Sequence, residues 1–222
     1  MSKIERIAPA WRTERGAHFH ATPVTVSAGR SLVTRGLHLT LLSIVIYQLV
    51  SSNFMHWPFP GETPGLAWSS HEYLGLVSFV VVFSFWFWTL VRSGETEFVR
   101  LFPWFSPRAL RAVLRNAREE LHNLMHLRFP DHDGGPLVSA IHGLGLLGVT
   151  GMAVTGTVYY VAHGTLLGSA AMFVHESVAN LIWAYLIAHA GMAVLHHLMG
   201  ADIFSRMFWT RSRRARRGYR RG

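Results

Sequence analysis

The chain has 222 residues, of which 50% are hydrophobic and 15% are charged. Soluble domains carry about 25% charged residues, so this depletion points to a lipid bilayer rather than a large water-soluble core. The sequence has no cysteine, which excludes disulfides, cysteine-ligated iron–sulfur clusters and c-type haem attachment. Any metal must therefore be held by carboxylate, methionine or one of the 14 histidines.

The first 30 residues are polar, lack the apolar core of a secretory signal peptide and are predicted to form a tail. Four apolar segments follow, at about 32–50, 71–91, 136–161 and 170–199. Each is long enough, or nearly so, to cross a hydrocarbon core of roughly 30 Å at about 1.5 Å per residue. Because a backbone in lipid must satisfy its own hydrogen bonds, all four are predicted to be helices. The sequence thus predicts an all-α fold, an integral membrane four-helix bundle over residues 31–207, with a basic tail over 208–222.

The distribution of basic residues predicts the orientation of the bundle. All 21 Lys and Arg lie in the N-terminal tail and the start of the first helix, in residues 92–128, or from Arg206 onward. The connections 51–70 and 162–169 contain none. The positive-inside rule then places both termini and the connection between the second and third helices in the cytoplasm. An outer aromatic belt is predicted at Trp57, Trp68, Tyr159 and Tyr160.

The net charge of +9 is explained by this topology. The arginine tail from Arg211 follows a membrane helix directly, so it is interpreted as an anchor on anionic lipid, and no nucleic-acid partner is predicted. A cytoplasmic amphipathic helix is predicted between the second and third helices, because Ser106-Pro107 is a start signal and apolar residues recur at helical spacing after it. Such a helix lies on the inner membrane surface or docks a partner, and surface anchoring is favoured.

Apart from His196 and His197, which end the fourth helix, five histidines lie inside the predicted helices, where ionisable side chains are costly and mark functional candidates: His38, His71, His142, His175 and His189. His175 and His189 are 14 residues apart, which places them on nearly the same side of the fourth helix and about 21 Å apart along its axis. In the predicted orientation His71 is level with His175 near the outer surface, and His38 is level with His189 near the inner surface. Paired imidazoles at two levels suit two six-coordinate b haems. Histidines that merely hydrogen-bond between helices are the alternative, and His142 competes with His38 for the inner role.

Several stretches resemble the bacterial cytochrome b561 family, which is related to the cytochrome b subunits of nickel–iron hydrogenases and formate dehydrogenases. His175-Glu-Ser-Val-Ala-Asn, His189-Ala-Gly-Met-Ala-Val-Leu-His-His, Asp202 and Arg206-Met207 resemble the family's last helix. His71-Glu-Tyr-Leu-Gly resembles the start of its second helix. The region around His38 resembles the first helix, so the resemblance covers the four helices and not the first 30 residues.

The resemblance implies two b-type haems per chain and a place in the bacterial cytoplasmic membrane. It implies that His71 and His175 are the axial ligands of the outer haem iron, and that His38 and His189 are those of the inner one. It also implies that His142 is not an iron ligand, since the matching histidine of the family usually is not.

Other polar side chains are candidates for contacts with haem or quinone. Arg35 lies one turn before His38, where it either pairs with an inner propionate or flanks the membrane. Glu176 follows an outer ligand and could relay protons from a quinol, as could Glu72, although Ser69 and Glu72 also read as a helix-capping box. An inner quinone site could combine His142 with the histidines that end the fourth helix, His196 and His197, although these two fit a helix-terminal cap equally well.

Three functions are consistent with the sequence. The resemblance favours an electron-transfer subunit that connects the quinone pool, ubiquinone or menaquinone, with a redox protein partner. The alternative is a stand-alone superoxide:ubiquinone oxidoreductase acting at the outer face. That reaction would gain from positive charge outside, whereas the predicted outer loops have no Lys or Arg and include Glu62. The third function is a haem-free membrane scaffold or transporter.

Overall fold

The computed structural model describes residues 30–59, 61–93, 98–126 and 135–198, together with Phe204 and Met207. Residues 1–29 of the N-terminal tail, Asp202, Arg206 and the basic tail over 208–222 lie outside the described residues. In the described residues the secondary structure is helical, without strands, which confirms the all-α fold. The six α-helices are α1 Leu32–Ser51, α2 Leu66–Val91, α3 Phe98–Leu101, α4 Pro107–Met125, α5 Pro136–Ala162 and α6 Leu166–Leu198.

The four predicted membrane helices correspond to α1, α2, α5 and α6. Each is long and apolar enough to cross a membrane. Large apolar side chains stay exposed along them, for example Val80 at 64% and Phe87 at 68%, because lipid rather than protein solvates these surfaces. The chain is therefore an integral membrane four-helix bundle.

Two helices begin earlier than the sequence predicts. Helix α6 begins at Leu166 instead of residue 170, and α2 begins at Leu66 instead of His71. The N-cap of α2 is Gly65, and the Ser69 amide already donates a helical hydrogen bond to the Gly65 carbonyl at 3.0 Å. The capping box at Ser69 and Glu72 is therefore wrong, because both residues lie inside the helix.

The helices pack in the order α1, α2, α5, α6. Helix α2 lies against α1 on one side and α5 on the other, while α6 packs mainly against α5. Hydrogen bonds between side chains fix the helices against one another: the Trp86 indole donates to the Thr150 hydroxyl at 2.9 Å, and the Trp88 indole donates to the Thr34 hydroxyl at 2.8 Å.

Helix α4 has the predicted start and amphipathic character. The Ser106 hydroxyl accepts the Ala109 amide at 3.3 Å, as an N-cap serine should. The arginine stripe on this helix is exposed to its surroundings at Arg108, Arg111, Arg115 and Arg118. Midway along α4, the Asn116 side-chain oxygen accepts the Leu137 amide at 3.2 Å. This bond satisfies an amide in the first turn of α5 and holds α4 at the end of that membrane helix.

The short segment between α2 and α4 folds back against the bundle, which the sequence did not indicate. Leu101 and Phe102 are buried, and the Phe102 ring stacks on Trp86 with ring centroids 5.0 Å apart. Helix α5 admits this segment at Gly143, where the Leu101 carbonyl occupies the space that a Cβ would need. The close approach therefore depends on the absence of a side chain at residue 143.

We expect Gly143→Ala to destabilise the protein, because the methyl group would overlap backbone atoms of Leu101. Backbone atoms cannot move aside by a change of rotamer, as a side chain could. Overpacking of this kind costs about 1–3 kcal/mol. Gly151→Ala in the same helix is the matched control, since a Cβ there meets nothing within 4 Å. Thermal unfolding in detergent should show a lower midpoint for Gly143→Ala and an unchanged or higher one for Gly151→Ala. Equal midpoints for the two variants would contradict this packing.

Candidate functional site

Helices α2 and α6 bring two of the predicted site residues face to face. The ring centroids of His71 and His175 are 6.4 Å apart, and the two ring planes stand at 79°. Both side chains are partly buried. At this separation the two rings are close neighbours on α2 and α6, and no hydrogen bond among the described residues joins them.

A hydroxyl group from a neighbouring helix contacts each of these two rings. The Ser51 Oγ of α1 lies 3.3 Å from the His71 Nδ1 atom, and the Thr155 Oγ1 of α5 lies 3.1 Å from the His175 Nδ1 atom. In both rings the Nδ1 atom is thus engaged, and no hydrogen bond in the described residues uses Nε2. An imidazole with a free Nε2 can bind a metal ion there.

Two further contacts hold the pair in place. The Gln48 side-chain amide of α1 donates to the backbone carbonyl of His71 at 2.8 Å, one helical turn before Ser51. On the other side of the pair, a Cβ at Gly156 would lie 3.1 Å from the His175 ring. The glycine therefore lets that ring lie close against α5.

The geometry of this pair fits an iron atom held from opposite sides. A metal ion takes imidazole nitrogens at about 2.0 Å. Since each ring centre lies about 1.1 Å behind its nitrogen, two such rings on opposite sides of the ion have centroids about 6.2 Å apart. The observed 6.4 Å agrees with this separation.

A second histidine group lies further along α6, about 21 Å from the first along the helix axis. The His189 ring stacks on Tyr185 at 5.4 Å and meets the His142 ring edge-on, at 88° and 5.1 Å between centroids. His38 lies close enough to His189 for electrostatic interaction, but the described residues show no ring contact between these two. The His38 Nδ1 atom is buried without a hydrogen-bond partner, whereas the His142 Nδ1 atom bonds to the Val138 carbonyl at 2.7 Å.

In this second group, the Nδ1 atom of His38 is available to a ligand, whereas that of His142 is already hydrogen-bonded. An unpartnered buried nitrogen is costly, so the His38 ring is suited to a ligand that would satisfy it. The structure thus places the His142 ring in contact with His189, and the His38 ring within electrostatic range of it.

The remaining candidates lie at the edges of these two groups. Arg35 is partly buried in α1, one turn before His38. Glu176 is exposed on α6 next to His175, and Glu72 is partly buried in α2 within electrostatic range of Tyr159. His196 and His197 end α6, and the His197 ring lies 4.8 Å from Phe204.

The predicted outer aromatic residues come together at one end of the bundle. Trp57 lies 4.9 Å from Trp68 and 6.0 Å from Tyr159 between ring centroids, so the loop after α1 is packed onto α2 and α5. Tyr160 is exposed beside them. This cluster lies at the same end of the helices as the His71 and His175 pair.

The loop at this end also carries an exposed carboxylate. Glu62 accepts the Phe59 amide at 2.9 Å and lies 3.5 Å from His56 Nε2. These bonds, the Phe59 amide first, hold the pKa of Glu62 below its ordinary value. Because the pKa is lowered, the stability that the ionised Glu62 gives this turn is fully present at a pH above its ordinary pKa. That stability is lost as the pH falls through the lowered pKa. The loop therefore presents negative charge at neutral pH.

The sequence did not single out Ser51, Thr155 or Gln48. One signal could have found two of them, because Gln48 and Ser51 are polar residues one turn apart at the end of an apolar helix, level with His71. Thr155 carries no such signal, since threonine is common in membrane helices and its partner lies on another helix.

Comparison with known proteins places the chain in a protein family. The model of a protein family described as prokaryotic cytochrome b561 matches residues 29–210, which include all four membrane helices and all the histidines of both groups. No curated protein and no solved structure matches the chain.

Proposed function

The chain belongs to the prokaryotic cytochrome b561 family, and on this premise we propose that it binds two b-type haems and carries electrons between the membrane quinone pool and a redox protein. Membership makes it a bacterial membrane cytochrome b that binds b-type haem and takes part in electron transfer. The observation that carries the more specific proposal is the pair His71 and His175, whose ring separation of 6.4 Å suits an iron atom between them.

The outer haem site uses residues of all four membrane helices. The Nε2 atoms of His71 and His175 would hold the haem iron, which would supply one-electron chemistry there. Gln48 fixes the backbone of one of these histidines, and Gly156 gives the ring of the other room.

At the inner site His38 and His189 would hold the haem iron, as the family resemblance implies. His142 lies against His189 and is proposed to contact haem or quinone rather than iron. Arg35, one turn from His38, is proposed to neutralise a carboxylate of the bound group. With His175 and His189 on one helix, the two sites lie about 21 Å apart, so electrons cross most of the membrane within one chain.

Ubiquinone or menaquinone is the proposed lipid-soluble partner. Quinones dissolve in the hydrocarbon region that surrounds these helices, and the exposed Glu176 beside His175 is a candidate proton acceptor for a quinol. The redox protein partner is proposed to dock near α4, whose exposed arginine stripe also suits anionic lipid headgroups.

We propose the bacterial cytoplasmic membrane as the location, with both termini and α4 on the cytoplasmic side. The chain has no cysteine, so single cysteines report topology without background. We expect an impermeant maleimide to label Thr63→Cys, in the α1–α2 loop, from outside intact cells, and to label Arg115→Cys on α4 only after lysis. Both substituted residues are exposed. The reverse pattern would contradict the proposed orientation.

Stopped-flow reduction tests the proposed reaction. We expect a ubiquinol or menaquinol analogue to reduce the purified oxidised protein. We expect superoxide to reduce it no faster than superoxide disappears by its own dismutation. The absence of Lys and Arg from 51–70 and 162–169, with Glu62 charged, works against attraction of an anion to the outer face. Rapid reduction by superoxide without reduction by any quinol would favour the oxidoreductase alternative.

A further inference from the structure

We propose that Ser51 and Thr155 are positioning residues that hold the two outer histidines in one tautomer and tune the midpoint potential of the outer haem. This inference rests on the proposed function, because it assigns roles around His71 and His175 as iron ligands. Nothing in the family match or in the sequence pattern assigns a role to either hydroxyl.

The hydrogen bonds around Thr155 define its role. Its hydroxyl proton is directed to the Gly151 carbonyl of its own helix at 2.7 Å. A hydroxyl has one proton to donate and two lone pairs to accept with. The contact of 3.1 Å with the His175 Nδ1 atom is therefore one in which the ring donates and Thr155 accepts. His175 then carries its proton on Nδ1, and its Nε2 lone pair is bare.

Ser51 repeats this arrangement at the other ring. Its hydroxyl reaches the Gln48 carbonyl at 3.3 Å and the His71 Nδ1 atom at 3.3 Å. A neutral imidazole that offers Nε2 to iron keeps its proton on Nδ1, so Ser51 accepts from His71. Ser51 is buried, so water has little access to this contact, and the Gln48 backbone carbonyl is the other acceptor near the ring.

The placement of the two hydroxyls couples helix packing to ring orientation. Ser51 belongs to α1 and its histidine to α2, while Thr155 belongs to α5 and its histidine to α6. These are the two helix pairs α1–α2 and α5–α6, each of which packs closely. Each ligand is thus set by the helix beside it, and the two pairs together fix the two ring planes at 79°.

Removing either hydroxyl is expected to change the midpoint potential of the outer haem in a definite direction. An acceptor on Nδ1–H makes an imidazole a more basic ligand, and a more basic ligand favours ferric over ferrous iron. Removing the acceptor should therefore raise the midpoint potential. Loss of such a supporting bond changes metal affinity by about tenfold or more. A threefold to tenfold loss of preference for ferric iron corresponds to roughly 30 to 60 mV at 59 mV per tenfold for one electron.

The test is a redox titration of the full-length purified protein, followed by the absorbance of its b-haems. The outer haem is identified as the one lost in His71→Ala. Thr155→Val removes the hydroxyl at nearly constant shape, Ser51→Ala removes the other, and Thr155→Ser keeps the acceptor. Thr157→Val and Ser78→Ala are matched controls, because those hydroxyls bond to carbonyls of their own helices. Ferric low-spin electron paramagnetic resonance reports the angle between the ring planes.

We expect Thr155→Val and Ser51→Ala each to raise the outer midpoint by roughly 30 to 60 mV while Thr155→Ser and both controls leave it unchanged. Should Thr155→Val lose the outer haem altogether, retention by Thr155→Ser supports the role and loss in both overturns it. Unchanged midpoints in both hydroxyl-free variants, or equal shifts in the controls, would overturn the positioning role and leave the di-haem function standing. A wild type without a His71-dependent haem would end both.

Discussion

Replacing His71 with Ala is expected to reduce the haem content from two per chain to one. Six-coordinate iron needs a nitrogen on each side of its plane, and His71 and His175 are the pair whose separation suits it at this end of the bundle. His175→Ala should remove the same haem. The measurement is a pyridine haemochrome assay on purified protein, normalised to protein concentration.

The double variant His71→Ala/His175→Ala should lose no more haem than either single variant, because the two side chains act on one site and their effects are not additive. His122→Ala is the control, since His122 is exposed on α4 and its ring contacts His126 rather than a histidine of either group. The remaining haem in each variant shows that the bundle still folds. Loss of both haems in the double variant, with one retained in each single variant, would contradict a shared site.

His38→Ala is expected to remove the inner haem, whereas His142→Ala is expected to keep both haems. This pair of variants has the largest consequence for the inner site, because the structure places the His142 ring 5.1 Å from His189 and leaves the His38 Nδ1 atom buried without a partner. A bound group that ligates His38 would remove that cost. His189→Ala should match His38→Ala in haem content.

The contrast between the two variants decides the inner ligand. If His142→Ala loses the inner haem and His38→Ala keeps it, the inner pair is His142 with His189. In that result the Val138 carbonyl, which bonds the His142 Nδ1 atom at 2.7 Å, would take the role that Ser51 and Thr155 have at the outer site. Absorbance spectra of the retained haems in both variants would show which site is perturbed.

The four-helix bundle could be predicted because the features that indicate membrane helices are local stretches of the sequence. A helix that crosses lipid needs a long apolar stretch, and four of these are visible directly in the sequence. The start of α4 was predictable for a similar local reason, since a serine followed by proline specifies an N-cap. The matching depths of His71 and His175 in the bundle were predicted by counting residues along helices whose directions follow from the distribution of Lys and Arg.

Features that depend on contacts between helices could not be predicted. The Ser51 and Thr155 contacts depend on how each helix is rotated about its axis, and a sequence of uniformly apolar helices gives little information about rotation. The fold-back of Leu101 and Phe102 depends on a space at Gly143 that only the packed structure reveals. The early start of α2 was missed because Ser69 matches the residue type preferred at an N-cap, whereas the N-cap in the structure is Gly65.

The most direct test is the haem content of the purified wild-type protein. The account predicts two b-type haems per chain in the pyridine haemochrome assay, with an absorbance spectrum typical of low-spin, bis-histidine iron. One haem per chain would leave one of the two histidine groups without its proposed ligand, and the path across the membrane would be lost. A high-spin spectrum would contradict the pairing of imidazoles on opposite sides of the iron.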